Sequence, residues 1–260
     1  MKLKWYGTAT ILIEQNGVQL LFDPFFSLSD KEYRPPIDEF AASRDILVTH
    51  GHIDHIAGIP EIMKYNNGDA TVYCTAKPRE VLIFKGVDEA QIHEIKPNDT
   101  LHIEPFEVRV LKGKHIVYNK SLVLGRILNP RILINWGNAR YLLREKRICA
   151  EAGETVVFDV STEDKRLLLL GSLNLDDNTE YPIGADLLIV PFQGRSDIAS
   201  YTVPFIERLQ PKKIILDHFN DTFPPISSEV NTGPFISLMR QKYPGIPVIC
   251  PHAGPEWIEF

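Results

Sequence analysis

The chain has 260 residues, 44% of them hydrophobic and 24% charged, and a formal net charge of −6. This is the balance of a globular protein of one large or two small domains, and it excludes a disordered tail, a collagen-like chain and a coiled coil. No aliphatic run exceeds four residues (167–170 is one), too short to span a bilayer, and the three scattered cysteines form neither a disulfide framework nor a cysteine-rich metal site. The N-terminal residues carry lysines but no apolar core of a signal peptide, so a cytoplasmic location is expected.

In chain order, residues 8–14 and 18–22 predict a hairpin turned at Asn16-Gly17. Asp23-Pro24 ends it, and residues 24–44, rich in proline and charge, read as a loop. Residues 45–49 predict a short buried strand that runs into His50. Residues 56–65 have helical spacing and stop at Asn66-Asn67-Gly68. A strand (71–74), a helix (78–84) and a strand (92–95) follow. Residues 101–112 read as paired strands, and 155–160 with 166–170 as another hairpin. Strands at 186–190 and 214–216 alternate with helices at 200–209 and 234–242, and strands at 248–250 and 257–260 close the chain. The pattern fits an α/β fold of two mixed sheets packed face to face, with helices outside.

The densest chemistry lies in Thr49-His50-Gly51-His52-Ile53-Asp54-His55, between a strand and a helix. Four potential ligands stand within six residues. Imidazole nitrogen suits zinc, iron or manganese, and a carboxylate oxygen widens the choice. In a tight strand-to-helix turn, His50 and His52 point to one side, while Asp54 and His55 point toward a neighbouring position. One loop thus supplies ligands for two metals. A chance cluster at a helix start is the bland alternative, and four ligands in six residues argue against it.

This run resembles the signature of hydrolases with the metallo-β-lactamase fold. Together with Thr8-Ala9-Thr10-Ile11-Leu12-Ile13-Glu14 and Leu21-Phe22-Asp23-Pro24-Phe25, it is similar to the branch that includes L-ascorbate-6-phosphate lactonase and N-acylphosphatidylethanolamine-hydrolysing phospholipase D. The resemblance runs from about residue 2 to the end, apart from a divergent stretch after His115. It implies a four-layer αβ/βα sandwich over residues 1–260, with the metals at the edge of the sheets. It implies a first metal on His50, His52 and a later histidine, for which His115 is preferred to His93 and His102. A second metal falls to Asp54, His55 and His218, with His252 as the alternative to His218. Asp23 is placed near the site floor, where a purely structural turn role is an equal reading.

The sequence departs from the family at one position. The family bridges its two metals with the Asp of a Gly-Asp pair after a hydrophobic strand, and here the pair is Gly171-Ser172. Asp176 and Asp177 stand just beyond. A hydroxyl does not compensate two cations as a carboxylate does. The expectation is therefore one tight metal at His50, His52 and His115, with the second position weak or empty. Zinc is the expected metal, with manganese or iron as alternatives. The implied chemistry is attack by metal-activated hydroxide. Asp54 would orient the water or hold the second metal, and His218 would hold metal or protonate the leaving group.

Residues 112–147 carry nine Lys and Arg against one Glu, a local charge of +8 that leaves −14 on the remainder. Apolar residues interleave with them. An insertion at about 116–150 reads as a lid, a dimerisation arm or both. As a lid it would present Lys114, Lys120, Arg126 and Arg131 to an anionic substrate, because a guanidinium grips phosphate or carboxylate as a fork. The expected partners are a small anionic substrate and a second copy of the chain. No nucleic acid is expected, and contact with a membrane surface is the less favoured reading. The expected function is hydrolysis of an ester, lactone or phosphodiester. The alternative is a degenerate, non-catalytic member that binds metal together with a ligand or nucleic acid.

Overall fold

The computed structural model describes residues 1–119, 125, 130–149 and 153–260. Strands β1 (Lys2–Trp5), β2 (Ile11–Gln15), β3 (Val18–Phe22), β4 (Asp45–Leu47), β5 (Thr71–Cys74) and β6 (Ile92–Glu94) run in sequence across a first sheet. The second sheet takes β7 (Thr100–Ile103), β8 (Phe106–Lys114), β9 (Val156–Ser161), β10 (Arg166–Leu170), β11 (Asn174–Leu175), β12 (Leu187–Pro191), β13 (Ile214–Asp217) and β14 (Val248–Ile249). The last strand, β15 (Ile258–Glu259), returns to pair with β1. Both sheets are mixed. β1 to β3 are antiparallel and β3 to β6 parallel, while β7 to β10 are antiparallel and β10, β12, β13 and β14 parallel.

The sheets pack face to face over one core. Trp5, Ile11, Ile13, Leu20 and Phe22 meet Val108, Val110, Phe158, Val160, Leu167 and Ile189 there. The outer faces are covered as well. Phe40, Ile62 and Leu82, from helices Ile37–Ala41, Ile59–Tyr65 and Ala76–Phe84, pack on the first sheet. Ile206, Phe235 and Met239, from helices Ile198–Leu209 and Gly233–Lys242, pack on the second. Burial on both faces explains why β10 and β12 read as unbroken apolar runs rather than alternating ones. The result is the four-layer α/β sandwich that the strand and helix pattern predicts.

Three local differences have physical causes. β1 escapes a hydropathy reading because Lys2 and Lys4 flank its two core residues, Leu3 and Trp5. Thr8 lies in the turn between β1 and β2 at φ 47°, not in a strand. Among the described residues of the basic stretch are the helices Arg131–Ile134 and Trp136–Ile148. Leu142 of the longer helix sits against Phe25 and Phe223, with Ile53 of the histidine run at the edge of the same cluster. Asn138 Nδ2 donates to the Leu28 carbonyl at 3.0 Å, and buried Glu145 pairs with Lys85. No helix among the described residues is long and apolar enough to cross a membrane.

Strands β3, β4, β8, β10 and β13 end in Phe22, Leu47, Lys114, Leu170 and Asp217. Asp23, His50, His115, Ser172 and His218 follow within one to three residues of those ends. Phe158 lies at the middle of the packing, fully buried and with its ring centroid 5.6 Å from that of Phe22. Phe158→Ala is expected to destabilise the protein by about 3–5 kcal/mol. The readout is a lower urea midpoint with an unchanged m-value.

Candidate metal centre

Thr49 and His50 continue β4 toward the sheet edge, and the histidine run then enters the helix Ile53–Ile56. His115 arrives from the end of β8. His50 Nε2 and His115 Nε2 each lie 3.1 Å from His52 Nδ1. A tetrahedral zinc with ~2.0–2.1 Å bonds holds its ligand atoms roughly 3.3 Å apart, close to both of these separations.

The hydrogen bonds behind these rings fix where their protons sit. Thr49 Oγ1 donates to Asp23 Oδ2 at 2.7 Å, so at 3.1 Å it accepts from His50 Nδ1. His115 Nδ1 donates to the Ile116 carbonyl at 2.9 Å. His55 Nδ1 stands 2.8 Å from Asp23 Oδ2 and hydrogen-bonds Thr49 Oγ1 at 3.1 Å. In each ring the proton is on Nδ1, and the Nε2 lone pair faces the cluster. Converging lone pairs do not satisfy one another, whereas a cation satisfies them all. The donor set fits a zinc, iron or manganese ion.

Asp54, His55 and His218 form a second cluster, with their ligand atoms within 4.8 Å of one another. His218 Nε2 lies 3.4 Å from His55 Nε2, and Asp54 Oδ2 lies 3.8 Å from the same nitrogen. His218 adopts φ 59°, a left-handed conformation that a non-glycine residue holds only when its surroundings impose it. Its N–H donates to the Thr8 carbonyl at 3.1 Å. Thr8 in turn donates its N–H to Asn220 Oδ1 at 2.9 Å, and Asn220 Nδ2 donates to Glu32 at 2.8 Å. The β1–β2 turn thus clamps the loop that carries His218. Asp217 Oδ1 stands 3.1 Å from His218 Nδ1, close but not aligned as a hydrogen bond.

Burial holds the His50 imidazole well below its ordinary range, and the neighbouring imidazoles push the same way. Burial likewise brings His52 down to about 4, against the pull of Asp54, and lowers His115. These three rings are therefore neutral and ready to bind a cation at pH 7. His55 goes the other way, because the Asp23 and Asp54 carboxylates outweigh its burial. Asp54 is held below the usual carboxylate range, the imidazoles of His55 and His218 outweighing its desolvation. Burial pushes Asp217 up, while His218 and His55 oppose it.

Ser172 is buried, and its hydroxyl accepts the Ile116 N–H at 3.0 Å, so it fixes the backbone beside His115. Neither nearby aspartate is in either cluster of ligands. Asp176 accepts from Asn178 N–H (3.0 Å) and Thr179 Oγ1 (3.2 Å), and Asp177 takes Lys114 Nζ at 2.6 Å. Lys114 is thus engaged by acids outside the two clusters. Arg131 pairs with Asp221, in the loop after His218. Lys120 and Arg126 lie outside the described residues. His93, His102 and His252 are exposed and belong to neither cluster. Sequence reasoning passed over Asp217, Thr49 and Asn220. The available signal for Asp217 was a lone carboxylate at the end of an apolar strand.

Residues 19–131 match the family model described as a Beta-lactamase superfamily domain. A UPF0173 metal-dependent hydrolase of Ligilactobacillus salivarius is 29% identical over 232 residues, covering 89% of this chain and 90% of the relative. Another, from Methanobrevibacter smithii, is 26% identical and covers 100% of this chain and 97% of its own. Igni18, a metallo hydrolase from Ignicoccus hospitalis, superposes with a TM-score of 0.65 at 16% identity, covering 100% of this chain and 98% of that one. The fold is that of the metallo-β-lactamases.

The depressed imidazoles give the metal-free protein a definite pH dependence. Between about pH 4 and 6.5 the unfolded chain binds a proton that folded His52 does not, so stability falls as pH falls through that window. His50 and His115 act with the same sign, whereas the His55 contribution is present below pH 6.5 and is lost as pH rises through its raised value. The Tm of metal-free protein is expected to drop between pH 7 and 4, and His52→Gln to flatten that slope in differential scanning calorimetry.

Proposed function

We propose that this chain, a metallo-β-lactamase-fold relative of metal-dependent hydrolases, cleaves a small anionic ester, lactone or phosphodiester. The observation that carries this is the convergence of two donor sets, His50/His52/His115 and Asp54/His55/His218, at one sheet edge. A divalent cation held there, with zinc the expected one, supplies Lewis acidity and an activated water at neutral pH. The side chains do the rest. Asp54, kept ionised by His55 and His218, accepts a hydrogen bond from the attacking water and sets its direction. His218 holds metal or, where it does not, delivers a proton to the leaving oxygen.

Two features favour an anionic substrate. The stretch 112–147 carries +8 in sequence and begins beside His115. Arg131, paired with Asp221 in the His218 loop, carries a guanidinium fork that would suit phosphate or carboxylate were it exchanged onto substrate. Within the 116–150 insertion, the helix Trp136–Ile148 then acts as a lid, seated by Leu142 against Phe25 and Phe223 next to the histidine run. Its exposed Leu133, Ile134, Trp136 and Leu143 suit the dimer-arm role as well.

Purified protein is expected to turn over members of a phosphodiester and lactone panel. His52→Ala should lower kcat/KM by more than about 100-fold. Arg131→Ala should raise KM about tenfold, and the wild-type KM should rise with salt. No turnover across the panel, with fold and metal content intact, would leave a non-catalytic binding protein instead.

A further inference from the structure

We infer that the Asp54–His55–His218 cluster, rather than the three-histidine cluster, holds the tighter cation, because two buried carboxylates outside the ligand set stand behind its imidazoles. The inference rests on the metal-dependent function proposed above. It reverses the order that the sequence suggests from the ligands alone.

The two clusters differ in charge rather than in shape. His50, His52 and His115 offer only imidazole nitrogens, and the groups behind His50 and His115 are a hydroxyl and a carbonyl. Thr49 Oγ1 meets His50 at 3.1 Å, and the Ile116 carbonyl meets His115 at 2.9 Å. The second cluster contains Asp54 itself. Asp23 Oδ2 lies 2.8 Å from His55 Nδ1, and Asp217 Oδ1 lies 3.1 Å from His218 Nδ1. Both outer carboxylates are buried, at 0% and 2% exposure, so solvent and salt screen them little. Among the described residues, three acidic side chains therefore surround the second position and none belongs to the first. A carboxylate behind a ligating imidazole raises its basicity and anchors its ring.

Asp23 is rigidly held, since its carboxylate also accepts Thr49 N–H at 2.8 Å and Thr49 Oγ1 at 2.7 Å. Asp217 contributes a different observation. Its Oδ1 and His218 Nδ1 are both buried without an aligned hydrogen-bond partner among the described residues. A buried carboxylate oxygen left in that state is costly, and a cation across the imidazole ring compensates it. Ser172 offers the first position no charge, because its hydroxyl is neutral; it accepts the Ile116 N–H.

The test loads metal-free protein with one equivalent of cobalt(II) and locates it in crystals by anomalous scattering at the cobalt edge. The expected peak lies among Asp54, His55 and His218. A peak among His50, His52 and His115 alone overturns the proposed order while leaving the metal-dependent function standing. Absence of any bound metal overturns both. In solution, the Kd of the first cobalt equivalent is expected to weaken about 10–100-fold in Asp217→Asn and to change less than about twofold in His115→Ala. The opposite pattern overturns the order. Should Asp217→Asn not fold, Asp54→Asn reports on the same position with the same expected weakening.

Discussion

Asp23 leaves β3 in a left-handed conformation, φ 47°, and aims its carboxylate back under the histidine run. There it accepts the Thr49 N–H at 2.8 Å and the Thr49 hydroxyl at 2.7 Å and stands 2.8 Å from His55 Nδ1, all out of water. Those contacts tie the end of β3 to the extension of β4 and to the first turn of the following helix. They also decide the chemistry. With its proton given to Asp23, the Thr49 hydroxyl accepts from His50, so one carboxylate sets the tautomers of ligands in both clusters. Removing it would leave buried donors unpaired, the expensive way to lose a hydrogen bond. The Asp23-Pro24 turn and the site floor are thus the same feature.

The His218 loop shows the same economy of parts from the other sheet. β13 delivers Asp217 and His218 together, and His218 keeps its positive φ because the β1–β2 turn accepts its N–H. The Thr8–Asn220–Glu32 chain locks that turn to the loop. Two sheets that share an apolar core therefore also share a polar seam at one edge, and that seam places the two clusters. Around it the basic stretch is less naked than its sequence charge of +8 implies. Lys112 and Lys114 face Asp176, Lys114 also takes Asp177, Arg131 takes Asp221 and Arg144 approaches Glu145. The acidic remainder of the chain supplies most of these partners, an electrostatic match across long sequence separations.

Much of the fold was legible because its signals are local. The Asn16-Gly17 turn, with φ of 55° and 83°, and the apolar runs of β10 and β12 announce themselves over a few residues. β1 did not, because two lysines hide a strand whose other two residues enter the core. The helix Trp136–Ile148 was masked for a related reason. Its buried positions, such as Ala139 and Leu142, are few among exposed basic and apolar neighbours.

By itself, the sequence determined the two-sheet sandwich, the His/Asp run from His50 to His55, and a serine, Ser172, where the resemblance expects an aspartate. Periodicity and residue spacing are both properties of short segments. Tertiary structure alone decided which distant groups stand behind those ligands. Asp23 and Asp217 are 194 positions apart in the numbering, on different sheets, and meet only because both sheets bring their strand ends to one edge. Charge acts through space and most strongly where water is excluded, so the electrostatic character of the two clusters depends on burial and distance. Neither quantity is written in the order of residues.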